Sequence, residues 1–345
     1  MLQEPQGSLS IRAWKYRWPV LLLAVPLAPS APVSAQQQDA GQTSSTVDIT
    51  IKFAPAEERK PVVYELVNGR PVLKVVVNGH EAWDVLDNNA SNSVIDAAFA
   101  RSLGLELSSF GAKLATPTST QQLWRVGSAV AIEIPGQISM TAPVTATDLS
   151  ALSAMAGRPI SLLLGREYFS GMVFLFTPGN HRLVLGPSGS LRLADGARGL
   201  ALQGDRSAIE VLVGGRPAVL DINIGSNGEI ALGQAAWDQT QMTALPILPS
   251  ASASVTGKID YSIKTEVDMV MLGSTPVTDV TVTLAPGVAE DRDGSVGFGL
   301  LSQFNFALDV KAQRLWLLPP FPDWMLAAEA AIKRTQAVAA DQIAQ

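Results

Sequence analysis

From Val62 onward, short apolar runs rich in β-branched residues alternate with Gly, Pro and Asn punctuation, the pattern of a chain built from strands and tight turns. Residues 62–67 and 72–77 read as two strands separated by Asn68-Gly69-Arg70-Pro71. Asn78-Gly79 predicts a two-residue hairpin, because both central positions of that turn need positive φ. The returning strand, 82–86, delivers Asp87 into the polar turn Asn88-Asn89-Ala90-Ser91-Asn92-Ser93, and a short helix is expected over 97–103. A polar segment follows at 116–122, then strands at 128–134, 138–144, 162–164, 172–176 and 182–187.

The second half of the chain repeats the first. Residues 165–187 align on 297–319 without a gap, with Arg182-Leu183 meeting Arg314-Leu315 and Phe174 meeting Phe306. Upstream, Val77-Asn78-Gly79 matches Val213-Gly214-Gly215, and each of those second glycines lies eight residues before a strand end, Asp87 in one half and Asn223 in the other. The register is independent of any active-site signature, so it tests one.

Val85-Leu86-Asp87-Asn88-Asn89-Ala90-Ser91 resembles the hydrophobic-hydrophobic-Asp-Thr-Gly-Ala-Ser signature of pepsin-like and retropepsin-like aspartic peptidases. The repeat places Ile222-Asn223-Ile224-Gly225-Ser226 on the same signature, and the resemblance covers about 62–319. It implies a mainly β chain of two homologous retropepsin-like β-barrel lobes with short helices, in a bilobal pepsin-like arrangement. One lobe is expected at 60–190 and the other at 196–320. Leu163-Leu164-Gly165 and Ser295-Val296-Gly297 stand where the family closes a loop against each catalytic turn.

The departures bear on chemistry. Asn223 replaces the second dyad Asp, Asn88 and Ile224 replace the Thr residues that tie the turns together, and Asn89 replaces a Gly, where it is expected to take a left-handed turn position. In such a dyad two close carboxylates share one proton. An amide can hydrogen-bond a water molecule but cannot exchange its proton, and losing one general acid or base costs ~10²–10⁴ in rate. Asp87 without a neighbouring carboxylate also loses that reason to stay protonated.

The candidate catalytic positions are therefore Asp87, Asn223 and, as a substitute carboxylate two residues upstream on the same strand face, Asp221. Asp84 is expected on the face opposite Asp87. The binding residues implied are Asn88, Asn89, Ala90, Ile224, Gly225 and Ser226 around the turns, with Trp124 and Tyr261 on segments placed to cover the cleft. Ser91, Ser93 and Ser226 lack a His partner, since His80 and His181 sit in turns, and the acidic run 290–294 lacks the ligand alternation of a calcium loop.

The functional expectation is an exported, aspartic-peptidase-like protein with absent or weakened hydrolysis that keeps a cleft for peptide or protein. An active endopeptidase using Asp87 with an unorthodox second carboxylate, and a structural cell-envelope protein, are the alternatives. No cofactor or metal is expected, and a chain supplying both lobes implies a monomer.

Composition narrows the classes further. A net charge of −6 without clustered Lys and Arg argues against nucleic acid, and the absence of Cys removes disulfides and thiol chemistry. Arg12, Lys15 and Arg17, the apolar run 18–28 and Val33-Ser34-Ala35 read as a signal peptide over 1–35, giving a periplasmic or secreted product with no membrane span after cleavage. Residues 36–59 read as a linker, with a strand at 47–53, and the Ala-rich 321–345 as a helical tail.

Overall fold

Three two-residue turns set the strand pairings around the polar turns. Asn68-Gly69, Asn78-Gly79 and Gly214-Gly215 all adopt positive φ, between 48° and 82°, the twist that returns one strand directly onto the next. A computed structural model describes residues 49–319 except 117–118, 194, 205–206, 254–256, 286–287 and 290. The signal-peptide and tail expectations lie outside the described residues.

The first half begins with β1 (Thr50–Phe53), β2 (Val62–Val67), β3 (Arg70–Val77) and β4 (His80–Leu86). After the Asp87 turn come β5 (Val94–Asp96) and α1 (Ala97–Ser102), which Asp96 caps by accepting from the Phe99 N–H at 2.8 Å. Then follow β6 (Leu107–Thr116), β7 (Ser119–Val126), β8 (Val130–Ile134), β9 (Ile138–Ala142) and β10 (Thr145–Thr147). The half closes with α2 (Ser150–Ala156), β11 (Leu162–Leu164), α3 (Arg166–Phe169), β12 (Met172–Thr177) and β13 (Arg182–Pro187).

The second half contains β14 (Arg198–Ala201), β15 (Ala208–Val213), β16 (Arg216–Asn223), β17 (Ile230–Leu232) and α4 (Gln234–Gln239). It continues through β18 (Leu248–Ala253), β19 (Ile259–Leu272), β20 (Thr275–Leu284) and β21 (Gly294–Gly297). It ends with α5 (Phe298–Leu301), β22 (Asn305–Asp309) and β23 (Arg314–Leu318).

The chain is mainly β, arranged in one 16-stranded and one seven-stranded sheet. Among the described residues, Thr116 and 119–122 of the polar segment belong to the β6–β7 hairpin, whose pairing runs from Leu107↔Val126 to Thr116↔Ser119 with a register shift between Ser109 and Lys113. Thr50–Phe53 pairs with β9, and Arg59 donates to the Leu185 carbonyl at 2.9 Å, so the end of the stretch read as linker is bound to the sheet.

The two halves meet through β12 and β22. The central strand order is β14-β23-β22-β12-β13-β2, and Leu175 lies opposite Ala307. Leu175 and Ala307 are also each other's counterparts in the gapless repeat, so a pseudo-two-fold axis passes between them. The flanking pairs obey it: Phe174↔Leu308 maps onto Phe306↔Phe176. At the outer strands, Tyr64 N–H donates to the His181 carbonyl (2.9 Å) just as Leu202 N–H donates to that of Gln313 (3.0 Å). Buried aromatic rings reinforce this seam, Phe176 stacking on Phe306 at 4.8 Å and meeting Phe298 edge-on at 5.6 Å.

Candidate active site

Each polar turn is cradled by a parallel strand from its own half. In the first, β4 pairs with β11 (Leu86↔Leu164), and Asp87 N–H donates to the Leu164 carbonyl at 3.0 Å. In the second, β16 pairs with β21, bringing Asn223 opposite Gly297. Within the turns, Ala90 N–H donates to the Asp87 carbonyl (3.1 Å) and Ser226 N–H to that of Asn223 (3.2 Å). The closing segments then dock alike, Arg166 N–H onto the Ala90 carbonyl (2.9 Å) and Phe298 N–H onto that of Ser226 (2.8 Å). Asp87 and Asn223 are thus equivalent by backbone hydrogen bonding, whatever their side chains.

Gly165 and Gly297 are required by closeness. A Cβ on Gly165 would lie 2.7 Å from the Asn92 carbonyl carbon, and one on Gly297 would lie 2.1 Å from the Gly228 oxygen. No side chain fits either gap, so both loops press against the turns only as glycine.

The turns touch across the axis. A Cβ on Gly225 would sit 2.4 Å from the Asp87 carboxyl carbon, so the Asp87 carboxylate lies directly on the Gly225 backbone. Gly225 does not adopt positive φ, and Asn89 is not among the left-handed residues either. Asn89 therefore does not use the left-handed conformation open to it, and at Gly225 the constraint is space, not backbone conformation. Asn89 instead donates its N–H to Asp87 Oδ1 at 3.0 Å.

Asn88 holds the turns together. Its buried amide donates through Nδ2 to the Ile222 carbonyl and accepts at Oδ1 from the Ile224 N–H, both at 2.7 Å. One side chain thereby brackets the backbone on both sides of Asn223. Ile224 fills the other side of the junction and is fully buried. Asn223 presents an Oδ1 that is buried and has no hydrogen-bond partner.

Arg70, at the start of β3, donates from Nε to the Gly225 carbonyl at 2.8 Å. Desolvation pulls its pKa down, while the Asp87 charge works to raise it. Burial raises the Asp87 pKa, against the opposing effects of the Asn89 and Ala90 backbone hydrogen bonds and the Arg70 charge. Burial is thus the largest influence on Asp87 and favours its protonated form.

Beneath the first turn lies a second acid. Asp84 is fully buried; its Oδ1 accepts from Leu164 N–H at 3.0 Å and its Oδ2 has no partner. Burial holds its pKa well above the usual carboxylate range, with the Leu164 hydrogen bond opposing. Beside it, Ser93 Oγ accepts from Gly165 N–H (2.7 Å), and Ser93 N–H donates to Glu167 Oε1 (2.5 Å).

The remaining candidates lie elsewhere. Asp221 is held by Arg292 at 2.9 Å in a recess of about 380 Å³ that Asp291 and Asp293 also line. Trp124 is half-buried on β7, packed against the main core with Arg101 over its ring at 5.7 Å. Tyr261 stands 80% exposed on β19, at a recess it shares with Ile263, Leu284 and Val288. Arg70 carried no sequence signal for the site, whereas an amide at 88 offers both a donor and an acceptor, as a hydroxyl would.

The chain matches no protein-family model and none of the curated proteins.

Proposed function

We propose that this chain is an aspartic-peptidase-like protein of two retropepsin-like lobes, which binds an extended peptide across the paired turns and hydrolyses it weakly or not at all. The observation that carries this reading is the contact of Asp87 with the Gly225 backbone, beside an Asn at the equivalent position of the other turn. The palindromic strand order about Leu175 and Ala307 supports the bilobal arrangement. Asp87, whose pKa burial raises, and Asn223, whose buried Oδ1 has no partner, offer a proton donor and an acceptor to a peptide backbone or a water once one reaches the turns. With one carboxylate the pair lacks the second proton carrier that activates water. The engagement of Asp221 by Arg292 weighs against the active-endopeptidase alternative.

Amide chemical-shift mapping with a panel of extended peptides tests the binding claim. Shifts are expected to concentrate at 87–91 and 223–227; shifts confined elsewhere, or none from the whole panel, contradict it. Export to the periplasm or medium belongs to the same proposal, and N-terminal sequencing of the mature protein, expected to begin at Gln36, checks it.

A further inference from the structure

A row of four aliphatic residues crosses the sheet on the face that carries Asp87. Val72 pairs with Val85, Val85 with Leu163, and Leu163 with Val94, so the row spans β3, β4, β11 and β5 without interruption. Val85 lies two residues before Asp87 at the end of β4, and Asp87 N–H extends that strand's pairing by donating to the Leu164 carbonyl, so the alternation puts both on the same side. All four are at most 4% exposed, yet they do not belong to the main core. They form a separate cluster closed by Leu149, Leu152 and Ile160, with Ala90 of the Asp87 turn packed at its margin.

The cover over this row is α2 and its flanks, and it is built lightly. The helix has seven residues and no side-chain N-cap bond, and it ends on Gly157 in the left-handed conformation. A helix that short has little stability of its own and depends on docking. Its ties are few: Leu149 N–H to Asp96 Oδ2 (3.0 Å), Asn68 Nδ2 to the Met155 carbonyl (2.6 Å), and Arg158 to Glu65 (2.7 Å) while lying over the Trp83 ring. From the other half, Gly257 comes against Ala151.

We infer that α2 is a displaceable cover on an apolar subsite beside Asp87, which a bulky aliphatic or aromatic side chain of a bound peptide occupies when the helix lifts. The inference rests on the peptide-binding reading for its ligand, but the cover itself is tested without one. The native chain has no Cys, so single introduced thiols report cleanly. Val94→Cys, beneath α2, and Val270→Cys, in the main core, are compared for alkylation under native conditions. The thiol at 94 is expected to react roughly tenfold faster or more, and Leu152→Ala is expected to accelerate it without accelerating the thiol at 270. Equal rates at the two positions, or equal acceleration of both by Leu152→Ala, overturn the cover. In a second arm, peptides bearing Leu or Phe are expected to bind Leu152→Ala several-fold tighter than the unmodified chain; weaker binding makes α2 a fixed wall of the site and overturns the inference. If no peptide binds either protein, the functional proposal fails, and the thiol rates alone decide the cover.

Discussion

The side-chain amide of Asn88 and the main chain of Ile224 are joined across the pseudo-two-fold axis by a 2.7 Å hydrogen bond, and the same amide donates to the Ile222 carbonyl. The side-chain hydrogen bonds described across this junction thus come from the first half, from Asn88 and from Arg70 to the Gly225 carbonyl, while the Ile224 side chain fills the junction in return.

This asymmetry predicts an ordered set of stabilities at position 88. Asn88→Ala leaves a buried carbonyl and a buried N–H unpaired and costs about 2–4 kcal/mol. Asn88→Thr keeps one donor and one acceptor and loses less. Asn88→Asp keeps the acceptor but turns an oxygen toward the Ile222 carbonyl, so it falls with Ala or below it. Urea unfolding of the three variants gives the order directly.

Gly225→Ala is a test of space. Its backbone conformation suits alanine, but the added methyl would overlap the Asp87 carboxyl at 2.4 Å. The expected result is a loss of about 1–3 kcal/mol, typical of overpacking, together with a shifted Asp87 carboxyl resonance. Unchanged stability and an unmoved resonance would mean that the turns are not in contact.

Asp84 predicts a pH dependence whose sign follows from its raised pKa. The folded state holds the proton more tightly than the unfolded chain, so the Asp84 contribution is fully present below the ordinary carboxylate value of about 4 and is lost as pH rises toward its folded value. Asp84→Asn removes that loss. The variant should gain melting temperature over the native protein from pH 4 to 8, and the gain should vanish toward pH 4. A difference that stays constant across the range contradicts a buried, proton-holding Asp84.

Arg70 acts on Asp87 in the opposite direction to burial, because its positive charge favours the carboxylate. Arg70→Gln should move the Asp87 titration to higher pH, read by carboxyl-carbon NMR. No movement would place Arg70 as a tie to Gly225 alone.

The internal repeat made much of the fold legible in the sequence. The gapless match of 165–187 on 297–319 foretold that β12 and β22 would be counterparts, and their pairing at Leu175 and Ala307 follows that register. The asymmetric parts were hidden. The polar residues 119–122 show no apolar alternation, and their strand character appears only in the pairing with β6. The helix α2 has no counterpart among the described residues of the second half, and its few apolar side chains gain meaning only over the row it covers. Arg70 reaches a carbonyl 155 residues away, and no local pattern encodes that. The match of Asn223 to Asp87 was readable, whereas the tie that the Asn88 amide makes to the main chain on both sides of Asn223 needed the three-dimensional contact.

The most direct test is peptide cleavage between acid and neutral pH by the chain, Asp87→Ala and Asn223→Asp. With the turns in contact and only one carboxylate between them, the native chain should not exceed the Asp87→Ala background. Asn223→Asp should raise cleavage by ~10² or more at acid pH, where two adjacent carboxyls share a proton. Cleavage by the native chain that disappears in Asp87→Ala would contradict the account.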